Sequence, residues 1–94
     1  MTTTKMTEQE FMDAAANGDA DAVKAGLEQG LKPDTSDQYG NTALMMACAR
    51  AQVDVCRTLL EAGADPEHKN RFGLGPRNWA GWADNDAAIR TLLG

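Results

Sequence analysis

The chain contains few of the residue types from which catalytic and metal sites are built. Its 94 residues include one histidine, His68, and two cysteines, Cys48 and Cys56. Zinc takes about four ligands at recognisable spacing, and these cysteines form no C-x-x-C pair. The stretch 73–77 lacks the lysine and the hydroxyl side chain of a phosphate-binding loop. The sequence therefore predicts no metal, no cofactor and no enzymatic activity.

Basic clusters and long apolar runs are also missing. Fourteen acidic residues stand against nine basic ones, which gives a formal net charge of −5. Nucleic acids and anionic membranes are poor partners for such a chain, because phosphate contacts need a basic face. No apolar run of about 18 residues is present to cross a bilayer. No apolar segment follows residues 1–5, so they do not fit a secretory signal. We expect them to form a short flexible tail.

The two cysteines are too few for a disulfide framework. Both lie at apolar positions of predicted helices, where a buried thiol behaves as a small and unreactive hydrophobic side chain. His68 lies in a predicted loop, so no cysteine–histidine nucleophile pair is expected. A reduced, cytoplasmic protein is the simplest interpretation.

What the chain does contain is an internal repeat with an offset of 33 residues. A fixed period of this length indicates stacked supersecondary units that share a continuous core. The residues that recur with this offset include Asp21 and Asp54, Leu27 and Leu60, Gly30 and Gly63, Pro33 and Pro66, Gly40 and Gly73, and Ala47 and Ala80.

The middle copy resembles the ankyrin repeat through the segments GNTALMMA at 40–47 and LLEAGAD at 59–65. The resemblance implies an all-α fold, an ankyrin-repeat solenoid of three helix-turn-helix units joined by β-hairpin-like loops. The units span about residues 4–36, 37–69 and 70–94 and form a single domain over residues 6–94. The two outer units are expected to act as caps, because one face of each meets water.

Capping residues and apolar spacing place the helices. Thr7 and Glu10 fit a capping box, and Pro76 stands at a first helical position. The predicted helices cover residues 7–16, 20–29, 53–62, 76–83 and 86–93, with a further helix that begins after Thr42. Leu59 and Leu60 are both assigned to the inward face, so Leu60→Ala is expected to cost about 2–5 kcal/mol.

Four positions depart from the pattern of the family, and one of them is Asp84, which stands in place of the glycine between the paired helices of the third unit. Met45 replaces the usual histidine, so the hydrogen bonds of that histidine should be absent. Arg77 replaces a buried leucine, and it should reach solvent because a buried unpaired charge is costly. Ala51 replaces the glycine between the paired helices; either it takes a left-handed conformation at a cost of about 1 kcal/mol or the turn is built differently.

The resemblance implies that a partner protein binds the concave face, through the finger loops and the ends of the inner helices. Carried over position by position, the contacts are Gln38, Tyr39, Asn41, Ala49, Arg50 and Lys69 in the middle unit, and Arg71, Phe72, Leu74, Trp82 and Ala83 in the third. The first unit offers Lys5, Met6, Glu8, Ala16, Asn17 and Ser36, but it lacks the glycine of the finger.

Aromatic residues make this face the best candidate site. Trp, Tyr and Arg are enriched at energetic hot spots, and three of the five aromatic residues fall on it. Tyr39 and Phe72 also fit a structural role between neighbouring fingers. Trp82 should point away from Trp79, which is assigned to the core, or else fold over the end of the stack.

The sequence thus predicts a small, soluble, monomeric protein–protein interaction module that acts as an adaptor or inhibitor. One alternative is an acidic immunity-type inhibitor of a basic partner such as a nuclease, for which a strong salt dependence of association would be typical. Another is a small-ligand binder or enzyme that uses aspartates, the cysteines and His68. A fragment or an engineered scaffold without a function of its own is a third possibility.

Overall fold

The computed structural model describes residues 6–80 and 86–93, and these form helices in two layers. The helices are α1 Glu8–Asn17, α2 Ala20–Glu28, α3 Ala43–Ala49, α4 Val53–Glu61, α5 Pro76–Ala80 and α6 Asp86–Leu93. Each odd-numbered helix packs against the even-numbered helix that follows it. Helices α1, α3 and α5 pack in succession as one layer, and α2, α4 and α6 pack as the other. The all-α solenoid predicted from the sequence is confirmed.

Local signals explain where α1, α2 and α5 begin. Thr7 accepts a hydrogen bond from the Glu10 N–H, and the Glu10 carboxylate accepts one from the Thr7 N–H, which completes the predicted capping box. Asp19 caps α2 through the Ala22 N–H at 3.1 Å. Pro76 begins α5 as predicted, and residues 81–83 of that predicted helix lie outside the described residues.

The core is a single apolar layer shared by neighbouring units. Phe11, Val23, Leu44, Leu59 and Ile89 are fully buried within it. Leu60 and Trp79 are partly buried and pack against it. The prediction that Leu60 carries a full core contribution is therefore corrected, because Leu59 occupies the deeper position on α4.

Met45 cannot make the hydrogen bonds of a histidine, but its side chain makes a hydrogen bond of another kind. Its side chain is fully buried, and its Sδ atom accepts a hydrogen bond from the Thr42 N–H at 3.4 Å. In return, the Thr42 hydroxyl accepts from the Met45 N–H at 3.3 Å. The thioether thus supplies a weak acceptor at the start of α3 and fills core volume as well.

Arg77 reaches solvent as predicted. Its guanidinium donates to the Glu67 carboxylate at 2.6 Å and to the Leu93 carbonyl at 3.2 Å. The side chains of both members of this ion pair are substantially exposed. Because exposed pairs of this kind contribute little stability, the contact mainly keeps the charge out of the core.

The turns between paired helices need a left-handed residue. Gly18 supplies it in the first unit with φ of 78°. Gln52 donates from its side chain to the Ala16 carbonyl at 3.1 Å, and a Cβ atom at Gly18 would lie 2.4 Å from the Gln52 Oε1 atom. Ala51 occupies the equivalent place in the second unit with φ of 55°, so the first of the two alternatives for this residue is confirmed.

We expect Ala51→Gly to raise the free energy of unfolding by about 0.5 kcal/mol. Relief of the left-handed strain contributes about 1–2 kcal/mol, and the loss of a partly buried methyl group and the freer unfolded chain offset much of it. Urea denaturation followed by circular dichroism would measure the change. Ala49→Gly is the control, because Ala49 lies in α3 and its replacement should cost about 1 kcal/mol. Equal losses in both variants would contradict the strain at Ala51.

Candidate partner-binding surface

Two finger loops of the same construction project from the helical layers. We define the first finger as residues 36–42 and the second finger as residues 69–75, which are related by the 33-residue offset. The Asp37 N–H donates to the Asn41 carbonyl, and the Asn70 N–H donates to the Leu74 carbonyl, each at 2.9 Å. The first finger also carries one isolated antiparallel bridge, between Ser36 and Thr42. The loops are therefore hairpin-like turns.

A single polar side chain organises each finger from within. The Asp37 carboxylate accepts hydrogen bonds from the Tyr39 and Asn41 N–H groups, both at 2.9 Å. Asn70 plays the same part in the second finger, where its side-chain oxygen Oδ1 accepts hydrogen bonds from the Phe72 N–H at 2.8 Å and the Leu74 N–H at 3.0 Å. These bonds satisfy the backbone donors of the turn and fix the direction in which each finger projects.

The two fingers are joined directly to each other. The Arg71 N–H donates to the Tyr39 carbonyl at 2.9 Å, and the Asn70 amide donates to the Asn41 side-chain oxygen at 2.8 Å. Gly40 lies at this junction with φ of 79°, and a Cβ atom there would stand 3.1 Å from the Asn70 Cα atom. A side chain at position 40 is therefore disfavoured by both conformation and space.

Tyr39 and Phe72 form an exposed aromatic pair on the fingers. Their ring centroids lie 6.3 Å apart with an interplanar angle of 29°. Tyr39 is 48% exposed and Phe72 is 70% exposed. The rings contact each other and are exposed as well, so a structural role between the fingers does not exclude a role in partner binding. The pair is an apolar patch held on a rigid support.

The other predicted contact residues are distributed around this pair. Gln38, Lys69 and Arg71 are exposed on the fingers, and Arg50 is exposed at the end of α3. Asn41 and Leu74 are half-buried, and both side-chain polar atoms of Asn41 are engaged within the fingers. Trp82 lies outside the described residues and remains a prediction.

The sequence did not reveal a groove beside the first finger. Its volume is about 470 Å³, and its lining residues are Glu8, Gln9, Met12, Ser36, Asp37, Gln38 and Tyr39. A second groove of about 440 Å³ shares Glu8 and Ser36 with it. The groove arises because α1 packs on α3 while the first finger projects past it, and this relation depends on tertiary packing rather than on local pattern.

The two cysteines considered for catalysis form a buried pair of thiols. Cys48 and Cys56 are fully buried, with their Sγ atoms 3.8 Å apart. The hydrogen bond with Cys56, together with burial, raises the pKa of the Cys48 thiol far above its usual range, so this thiol stays protonated and unreactive. Within residues 6–80 and 86–93, no group of three or more His, Cys, Asp or Glu is placed to hold a metal ion. No helix in that part of the chain is long and apolar enough to span a bilayer.

Comparison with known proteins adds to this geometry. Residues 11–94 match the family model described as ankyrin repeats, in three copies. The chain is 34% identical over 71 residues, 76% of its length, to ankyrin repeat domain-containing protein 63 of Homo sapiens. It is 43% identical over 53 residues to the potassium channel AKT2/3 of Arabidopsis thaliana, a match that covers 56% of the chain. The chain spans 19% of the length of the first relative and 7% of the second.

Proposed function

Because this chain belongs to the ankyrin repeat family, whose repeats are generally protein–protein interaction modules, we propose that it holds a partner protein against its fingers and inner helices. In this proposal it acts as an adaptor or inhibitor without catalysis of its own. It works in a reducing compartment such as the cytoplasm, where its two free thiols persist.

The exposed Tyr39–Phe72 pair is the observation that carries the proposal. An aromatic pair in water forgoes the free energy of burial, and a partner that covers it recovers about 25 cal/mol for each Å² of apolar area. The finger hydrogen bonds fix the backbone that carries the rings before binding, so less conformational entropy is lost on association. Arg71 precedes Phe72 in the chain, its N–H donates to the Tyr39 carbonyl, and it adds a residue type that is enriched at hot spots.

The positive charges near the pair indicate what the partner presents. Lys69 and Arg71 are exposed on the second finger, and Arg50 is exposed directly after α3. Asp37 is the acidic residue of the first finger, and its carboxylate already accepts three hydrogen bonds from within that finger. The proposed partner surface therefore has an apolar centre with acidic or polar groups at its rim.

The test is capture of the partner by the wild-type chain and by Tyr39→Ala/Phe72→Ala. We expect the double variant to keep its fold and to bind the partner at least about 100-fold more weakly, because each hot spot is worth about 2 kcal/mol or more. Mass spectrometry would identify the partner captured from the native host, and titration calorimetry would then measure the affinities. Trp82→Ala, tested in parallel, examines the remaining predicted anchor.

Lys24→Ala/Glu61→Ala is the control, because both side chains are exposed on the outer helices, away from the fingers. It should bind as the wild type does. Undiminished capture by the aromatic double variant would refute the proposed surface. A steep fall of the association rate with salt would favour the inhibitor of a basic partner over the general adaptor.

A further inference from the structure

The groove between α1 and the first finger combines an aromatic wall with negative charge. Tyr39 and Met12 line it together with the carboxylates of Glu8 and Asp37, and none of its lining residues is basic. The neighbouring groove is different, because Lys32 lines it and offsets one of its two carboxylates. The first groove is therefore the better suited of the two to a positively charged group.

Glu8 is the carboxylate available to such a group. The Asp37 carboxylate already accepts from the N–H groups of Tyr39 and Asn41 and from the Asn41 amide. Glu8 is exposed at the first position of α1, and the described part of the chain gives its side chain no hydrogen bond and no ion pair.

We propose that this groove receives an arginine side chain of the partner protein. The inference rests on the proposed function, because it names one contact of that same surface. The guanidinium lies against the Tyr39 ring and donates hydrogen bonds to the Glu8 carboxylate, while the methylene stem covers Met12. Arginine suits the groove better than lysine, because its planar and weakly hydrated head stacks on an aromatic face. The volume of about 470 Å³ holds one long side chain and its flanking backbone.

The experiment uses a small probe, so it needs no knowledge of the partner. The methyl amide of Nα-acetylarginine is titrated into the isotope-labelled protein and followed by amide chemical shifts. The matched neutral probe is the citrulline analogue, which replaces the guanidinium by a urea of nearly the same shape. We expect the arginine probe to shift the amides of residues 8–12 and 36–39, with binding about three- to fivefold tighter than that of the citrulline probe.

Glu8→Gln should remove most of the preference for arginine over citrulline. Glu28→Gln is the matched control, because it makes the same change of charge in the same unit at an exposed position outside the groove. Tyr39→Leu should weaken both probes, because it removes the ring face and keeps an apolar wall. Raising the salt concentration should weaken the arginine probe alone.

Equal binding of the two probes would overturn the inference, as would shifts confined to other residues, no shifts at all, or equal losses in Glu8→Gln and Glu28→Gln. The proposed function fails by a different result, which is undiminished partner capture by Tyr39→Ala/Phe72→Ala. Each outcome can occur without the other, so the two experiments separate the claims.

Discussion

Leu59→Ala is expected to lower the free energy of unfolding by about 2–5 kcal/mol. Its side chain is fully buried at the centre of the middle unit, where α4 packs against α2, α3 and α6. Truncation removes the transfer free energy of the buried methyl groups and leaves a cavity, because the surrounding helices relax only in part. Domains of this size are stable by about 5–15 kcal/mol in total, so the loss is a large fraction of it.

Leu60→Ala is the control, since it makes the same chemical change one position along the same helix. Leu60 is only partly buried, so its truncation leaves a smaller cavity. The loss in free energy of unfolding should therefore be about half that of Leu59→Ala or less. Urea denaturation of both variants, with the slope of the transition compared as well as its midpoint, would measure the two losses. Equal losses would contradict the assignment of Leu59 as the deeper residue.

Leu59 and Leu60 also show how far apolar spacing predicts a fold. Successive residues on a helix point about 100° apart, so an apolar pair such as Leu59 and Leu60 straddles the inward direction. The spacing places α4 against the core correctly, but only the positions of α2, α3 and α6 decide which leucine is covered. Helix placement is local information, whereas depth of burial is a property of the packed stack.

Capping and turn residues predicted the ends of the helices because their effect is local. Thr7 and Glu10 satisfy backbone donors within their own turn, and the positions of Gly18 and Ala51 each depend on the backbone conformation of one residue. The groove beside the first finger could not be predicted in this way. Glu8 and Tyr39 lie 31 positions apart in sequence, and they meet only because α1 and α3 pack side by side.

The 33-residue offset also allows core residues of the first and second units to be compared position by position. Gly26 stands where the second unit has Leu59, and Phe11 stands where it has Leu44. A Cβ atom at Gly26 would lie 2.6 Å from the Cδ1 atom of Phe11, so the large ring occupies the space of the missing side chain. Both Gly26 and Phe11 are buried. The two units thus fill equivalent space with different pairs of residues.

Gly26→Leu is therefore expected to destabilise the protein by about 2–3 kcal/mol, although leucine is the better helix former by nearly 1 kcal/mol. The ring of Phe11 cannot move aside, because it is fully buried and its neighbours are close-packed. Met6, whose Sδ atom would lie 3.0 Å from the new Cβ atom, is half-buried and can shift. The steric cost at Phe11 should outweigh the gain in helix propensity, which thermal or urea denaturation would show.

Phe11→Leu in the Gly26→Leu background should recover most of that loss, because the double variant recreates the pair of leucines that the second unit already contains. Phe11→Leu alone should destabilise, since it opens space opposite a glycine. The coupling free energy from the four proteins should be favourable by about 0.5–3 kcal/mol, the range for residues that share one cavity. Additive losses would mean that the two positions do not compete for the same volume, and that the units are not interchangeable at this level of their core.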